Sequence, residues 1–190
     1  MKEFIRDVNE AIKNVNNGKF VNFVNLLAGK GIIIAGFPGV GKSTAVSEYK
    51  GKSKVIDMES SEFHWLYDEN GNKYCNPEWP YNYVDAITDA AKSCDEDTYV
   101  LISTHNEVLN LLNEDSDWGS PFIAVIPKTK SIYIDRYKQR GSSKEFIEKL
   151  DIEFDNFTND VKMTQPLFLI CTDGYMSDIL TQIDKIAARK

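Results

Sequence analysis

Cysteine is scarce in this chain of 190 residues: Cys75, Cys94 and Cys171 lie far apart, with no CxxC pair and no histidine at metal-ligand spacing. A disulfide framework and a cysteine-based zinc site are therefore excluded, and a reducing, cytoplasmic setting is expected. Long apolar runs are missing too. The longest, Gly31 to Gly36, is strand-sized and leaves no expected membrane span. The opening stretch carries a charge every few positions, unlike the apolar core of a signal peptide. A basic excess is absent as well: 29 acidic side chains outnumber 22 basic ones, for a net charge of −7. Non-specific duplex binding needs clustered Lys and Arg to displace counterions, so bulk nucleic acid is not an expected partner, while a local basic pocket is allowed. No repeat, low-complexity tract or Pro/Gly/Ser linker divides the sequence, which predicts one domain over residues 1–190.

What is present is apolar material in two periods. Phe4, Ile5, Val8, Ile12 and Val15 recur at helical spacing, and a second stretch from Phe20 to Leu27 allows another helix. Residues 1–28 thus read as an N-terminal helical extension. From Gly31 the pattern changes to short β-branched runs, at Gly31–Ala35, Lys54–Met58, Thr98–Ser103, Phe122–Ile126 and Leu167–Cys171. Between them lie helix-like segments near Lys42–Tyr49, Tyr81–Cys94, Glu107–Asn113, Lys130–Arg140, Lys144–Met163 and Ser177–Arg189. This alternation predicts an α/β fold, a parallel sheet with helices on both faces.

Immediately after the first run stands Gly36-Phe37-Pro38-Gly39-Val40-Gly41-Lys42-Ser43, a full GxxxxGK[ST]. A strand before it and a helix after it are the context that motif needs. Gly36, Gly39 and Gly41 free the backbone to aim N–H groups, with that of Val40, at phosphate oxygens, and the helix N-terminus adds its positive dipole end. Lys42 is expected at the β- and γ-phosphates, Ser43 on Mg²⁺, and Thr44 at the α-phosphate.

The second strand ends in Asp57-Met58-Glu59-Ser60-Ser61. Carboxylates two apart on an extended chain share a side. Asp57 and Glu59 either hold magnesium through water and serve the acceptor, or are turn residues beside a serine N-cap. Seven aromatics follow between Phe63 and Tyr83, and residues 59–83 form a candidate acceptor-binding segment, irregular because of Asp68–Asn72 and Asn76–Pro80. Phe63 and Trp65 are candidates to stack on a planar group, or members of a satellite core. The third strand ends in Ser103-Thr104-His105 without the Asp of a Walker B strand, so Asp57 is left as the metal carboxylate. His105 touches substrate or caps a helix.

Arginine is rare: Arg6, Arg136, Arg140 and Arg189. Arg136 and Arg140 are four apart and share a helical face, suited either to a transferring phosphoryl group or to solvent at a helix C-terminus. Residues 129–145 form a candidate lid with a hinge at Gly141-Ser142-Ser143. The turn Cys171–Tyr175 either reads an adenine edge or simply precedes a helix capped by Ser177.

On the P-loop, the carboxylate strand and the arginine pair, the chain resembles the P-loop nucleoside monophosphate kinase-like superfamily. It is most similar there to small kinase-like proteins of bacteriophages, on Val55–Ser61 and Ser103-Thr104-His105. The resemblance implies a P-loop three-layer sandwich whose five-stranded sheet runs 2-3-1-4-5. It implies ATP and Mg²⁺ as cosubstrate and cofactor, and nucleotide substrates, with a (deoxy)nucleoside monophosphate as acceptor. Lys42, Asp57, Arg136 and Arg140 are then the catalytic residues, with Ser43 and Asp57 toward the metal. Glu59, Phe63, Trp65 and His105 join Asp57 on the acceptor. A phage origin implies the host cytoplasm. The spacing of Asp57 and Glu59 is also similar to that of kinases acting on hydroxyls, of small metabolites or of polynucleotide 5′ ends. A nucleotide-binding regulatory protein with little catalysis is the third reading. The N-terminal helix packs on its own sheet or on a second subunit, the latter giving a homodimer.

Overall fold

The computed structural model describes residues 31–94, 98–113 and 121–187. The expected N-terminal helices, Arg6 and Arg189 lie outside the described residues. In chain order the elements are β1 (Ile32–Gly36), α1 (Lys42–Glu48), β2 (Lys54–Asp57), α2 (Ser61–His64), β3 (Trp65–Tyr67), β4 (Lys73–Cys75) and α3 (Tyr81–Ser93). There follow β5 (Thr98–Ile102), α4 (Asn106–Asn113), β6 (Phe122–Pro127), α5 (Lys130–Gln139), α6 (Lys144–Met163), β7 (Phe168–Thr172) and α7 (Met176–Ala187).

Five strands pair in parallel as β2-β5-β1-β6-β7. With the β3-β4 hairpin set aside, this is the expected order 2-3-1-4-5. β-branched residues dominate β1, and four of its five residues are buried, as a central strand covered on both faces requires. Alternation splits the sheet residues between two cores. Ile34, Leu101, Val125 and Ile170 face one, shared with α1, α5 and α7; Ile33, Val100, Ala124 and Ile126 face the other, shared with α3 and α4. The long α6 supplies Leu150 and Phe154 to the first and Val161 to the second. Among the described residues, no helix is long and apolar enough to cross a membrane.

One sequence expectation is corrected. Residues 59–83 are not irregular: they hold α2, the antiparallel hairpin Trp65–Tyr67 with Lys73–Cys75, and the start of α3. The polar run that breaks the apolar pattern is the hairpin turn itself. Asp68 accepts hydrogen bonds there from the backbone N–H of Asn70 and Asn72, each 2.8 Å, and from Asn72 Nδ2 at 2.8 Å.

Candidate active site

All five parallel strands deliver their C-terminal ends to one edge, where the loops of such sheets bind ligands. A cleft of about 630 Å³ opens there between the P-loop, the exits of β2 and β5, α5 and the loop before α7. The P-loop is shaped by two positive-φ glycines. Gly41 caps α1 at φ 88, and Gly39, at φ 82, lies so close to Tyr137 that an added Cβ would stand 3.0 Å from its ring and hydroxyl. The loop is anchored below by Phe37 N–H on Val125 O (2.9 Å) and by Met176 N–H on Val40 O (2.9 Å). Val40 is wholly buried, and its own N–H donates to Phe37 O, so it supports the loop from beneath rather than facing the cleft.

Lys42 lies across this loop, its Nζ donating to Gly36 O at 2.9 Å. Burial lowers its pKa, while the charges of Asp57 and then Glu59 pull it back up. Ser43 and Thr44 are exposed on the cleft wall. Of the two carboxylates, Glu59 lines the cleft in the open, whereas Asp57 Oδ1 is buried and has no hydrogen-bond partner. Tyr83 holds the two strand exits together: its hydroxyl donates to Met58 O at 2.6 Å and accepts from Ser103 N–H at 3.3 Å.

His105 also lines the cleft, with Nε2 3.1 Å from Ser60 Oγ. Burial lowers its pKa against the opposing pull of Glu107, which favours the neutral ring. The helix cap expected of Ser60 is not made by its side chain, because that hydroxyl is turned to His105.

Phe63 and Trp65 are not among the cleft residues. Phe63 packs on Tyr83 with ring centroids 5.0 Å apart, in the α3-side core. Trp65 instead closes a stack that the sequence did not reveal: His64 lies between Trp65 and Trp79, 4.3 Å from each and nearly parallel to both. Lys73 Nζ covers the Trp65 ring at 4.2 Å. Apolar burial and ring stacking satisfy these aromatics without a ligand.

The arginines divide. Both line the cleft, but Arg136 is committed to the loop before α7. It donates to the carbonyls of Asp173 and Gly174 and lies between Tyr133 and Tyr175, 4.6 and 4.1 Å from their ring centroids. That loop is itself tied down, since the Asp173 carboxylate accepts from Thr129 N–H at 2.8 Å and from its hydroxyl at 2.6 Å. Ser177 lies inside α7 rather than capping it. Arg140 is exposed; its Nε donates to Ser142 Oγ at 3.0 Å and its guanidinium covers Tyr137. Ser143 caps α6, accepting from Phe146 N–H. Sequence reasoning did not name Pro38, Ser60, Ser103, Gln139 or Tyr175 as site residues; Ser60 is paired there with His105 and Tyr175 with Arg136, partners distant in the chain.

Among the described residues, no cluster of three or more His, Cys, Asp and Glu forms a self-contained metal site. A magnesium that uses substrate phosphates needs only a hydroxyl and a carboxylate from the protein. Ser43, exposed on the cleft wall, supplies the hydroxyl; Asp57, whose buried Oδ1 has no hydrogen-bond partner, is the carboxylate behind it, although it is not itself among the residues lining the cleft.

No protein-family model matches the chain, and no curated protein matches it in sequence. Among solved structures, a gluconokinase from Sinorhizobium meliloti 1021 superposes with a TM-score of 0.46 at 14% identity, over 86% of this chain and 93% of that one.

Proposed function

We propose that this protein is an ATP- and Mg²⁺-dependent phosphotransferase whose acceptor attacks through a hydroxyl group. The observation that carries the reading is Lys42, held across a glycine-shaped phosphate loop and faced by the carboxylates of Asp57 and Glu59. Lys42 and the loop N–H groups bind the phosphates, and Arg140 adds charge at the moving phosphoryl. Ser43 and Asp57 would hold Mg²⁺, which would supply charge neutralisation to the bound phosphates. Glu59, open to the cleft, takes the hydroxyl proton as the acceptor oxygen bonds to the γ-phosphorus and the bond to the β-phosphate oxygen breaks, releasing ADP. Arg136 orders the nucleotide-side loop through its two carbonyl contacts.

A (deoxy)nucleoside monophosphate acceptor, expected from the resemblance, is less well served. The wall opposite α5 offers Glu59, Ser60, Ser103 and a His105 held toward neutrality. A phosphate dianion there would meet a carboxylate, the cleft's guanidiniums being those of α5 and its end, Arg136 and Arg140. In residues 59–83 the one lysine, Lys73, lies over Trp65.

Glu59→Gln tests the assignment. Turnover of a hydroxyl acceptor is expected to fall about 10²–10⁴-fold with ATP affinity unchanged, the usual worth of a positioned base. Unchanged turnover of the hydroxyl acceptor would overturn Glu59 as the base, and turnover of monophosphates alone would overturn the hydroxyl reading, since a monophosphate is already ionised and needs no base. Tight ATP binding without product from any nucleotide, nucleoside, sugar or 5′-hydroxyl oligonucleotide would favour a regulatory nucleotide-binding protein instead.

A further inference from the structure

We propose that the acceptor is a nucleoside, whose planar base occupies a second chamber beside the phosphate cleft while its sugar hydroxyl reaches into the cleft. This rests on the hydroxyl-acceptor reading above. The chamber, of about 380 Å³, lies between the start of the P-loop, the start of α4 and the flank of α6. Pro38, Ser103 and His105 line both spaces. A molecule with its reacting oxygen in the cleft thus has an adjoining space in the chamber for its body. On the shared wall, Ser103 Oγ is buried without a hydrogen-bond partner, a group that an incoming polar atom can complete.

The chamber's chemistry narrows the occupant. Phe37, Phe146, Leu150 and Phe157 supply its apolar surface. Aromatic rings there favour a planar ring by stacking or edge contact. A polyol desolvated against them would leave hydroxyls unpaired. The chamber's charged residues, Glu107, Lys149 and Asp160, sum to one negative charge, which opposes a sugar acid. The volume is near the lower end of small-ligand sites, roughly 300–1,000 Å³. That suits one nucleoside and not the end of a polynucleotide.

The exposed rims permit a direct test, because Phe146 and Phe157 are 41% and 38% exposed and neither is needed to fill a core. The full chain, with Mg²⁺ and a non-hydrolysable ATP analogue, is titrated by calorimetry with the common ribo- and deoxynucleosides, their 5′-monophosphates, gluconate and glucose. The same compounds are assayed with ATP, reading phosphoryl products directly. At least one nucleoside is expected to bind saturably and to be phosphorylated on its sugar in preference to gluconate and glucose. Phe157→Ala is expected to raise its KM about tenfold with kcat and ATP affinity little changed, and Phe157→Tyr to restore the affinity. Saturable binding by no nucleoside, or a KM indifferent to both Phe157→Ala and Phe146→Ala, overturns the chamber assignment. Phosphorylation of gluconate or glucose alone overturns it too, yet leaves the phosphotransferase reading standing. Preference for the monophosphates overturns the hydroxyl-acceptor reading on which it rests.

Discussion

Lys42 and Asp57 compensate each other. The ammonium is withdrawn from water, and among the charges that offset this burial Asp57, which has a buried oxygen without a hydrogen bond, acts most strongly on it. Lys42→Met and Asp57→Asn are each expected to lower stability, and the double variant to recover part of the loss. The coupling in a double-mutant cycle of urea melts should be about 0.5–3 kcal/mol. Strict additivity would show that the two are not energetically paired. Phosphoryl transfer should fall about 10²–10³-fold or more in every variant lacking Lys42, because a preorganised cation at the phosphates cannot be replaced by water. The lysine and the loop glycines were legible in the sequence, since a local motif fixes their chemistry. That one oxygen of Asp57 is buried while Glu59 is open was not, because burial depends on the elements the fold brings against the strand end.

Among the elements, sequence periodicity missed the hairpin and the short α2 before it. Three-residue strands are too short to show an alternation, and the turn's polar run looks the same as a loop. Its closure depends on Asp68, whose carboxyl the Asn72 and Asn70 hydrogen bonds hold below the ordinary carboxylate range. A carboxyl with a depressed folded pKa stabilises its turn above that ordinary range and stops doing so as pH falls through the folded value. Acid titration followed by amide exchange should therefore release the Asn70 and Asn72 N–H groups while the β1 and β5 amides stay protected. Release of both sets together would assign the effect to global unfolding.

Across the whole molecule, buried tyrosines join the layers. Asp184 on α7 accepts hydrogen bonds from Tyr49 at the end of α1, from Tyr99 on β5 at 2.6 Å and from Ser53 before β2 at 3.4 Å. Burial, reinforced by Asp184, pushes Tyr49 up to about 12 and Tyr99 higher; burial also pushes Tyr83 and Tyr133 up to about 12. An unfolded tyrosine ionises near about pH 10. A raised folded pKa gives stability that is complete below that value and lost as pH climbs through the folded one. Urea melts should hold steady to about pH 10 and then weaken toward about pH 12, in step with tyrosinate absorbance. Tyr99→Phe should cost about 1.5–3 kcal/mol at neutral pH, for one hydrogen bond to a charged group, and blunt the alkaline fall. Stability unchanged through that range would count against the cluster.

The succession of strands and helices along the chain, apart from α2 and the hairpin, the P-loop and the two-faced sheet were determined by the sequence itself. Each follows from local periodicity or from contiguous residues whose backbone chemistry leaves little choice, as in Ile32–Gly36 running into Gly39, Gly41 and Lys42. Tertiary structure alone decided which side chains reach the cleft. Phe63 and Trp65 were drawn into packing, Arg136 was engaged by the carbonyls of a loop 37 residues away, and Ser60 was paired with His105 across 45 residues. Such outcomes depend on competition among distant groups for one partner, and side-chain chemistry read in order along the chain contains no record of that competition.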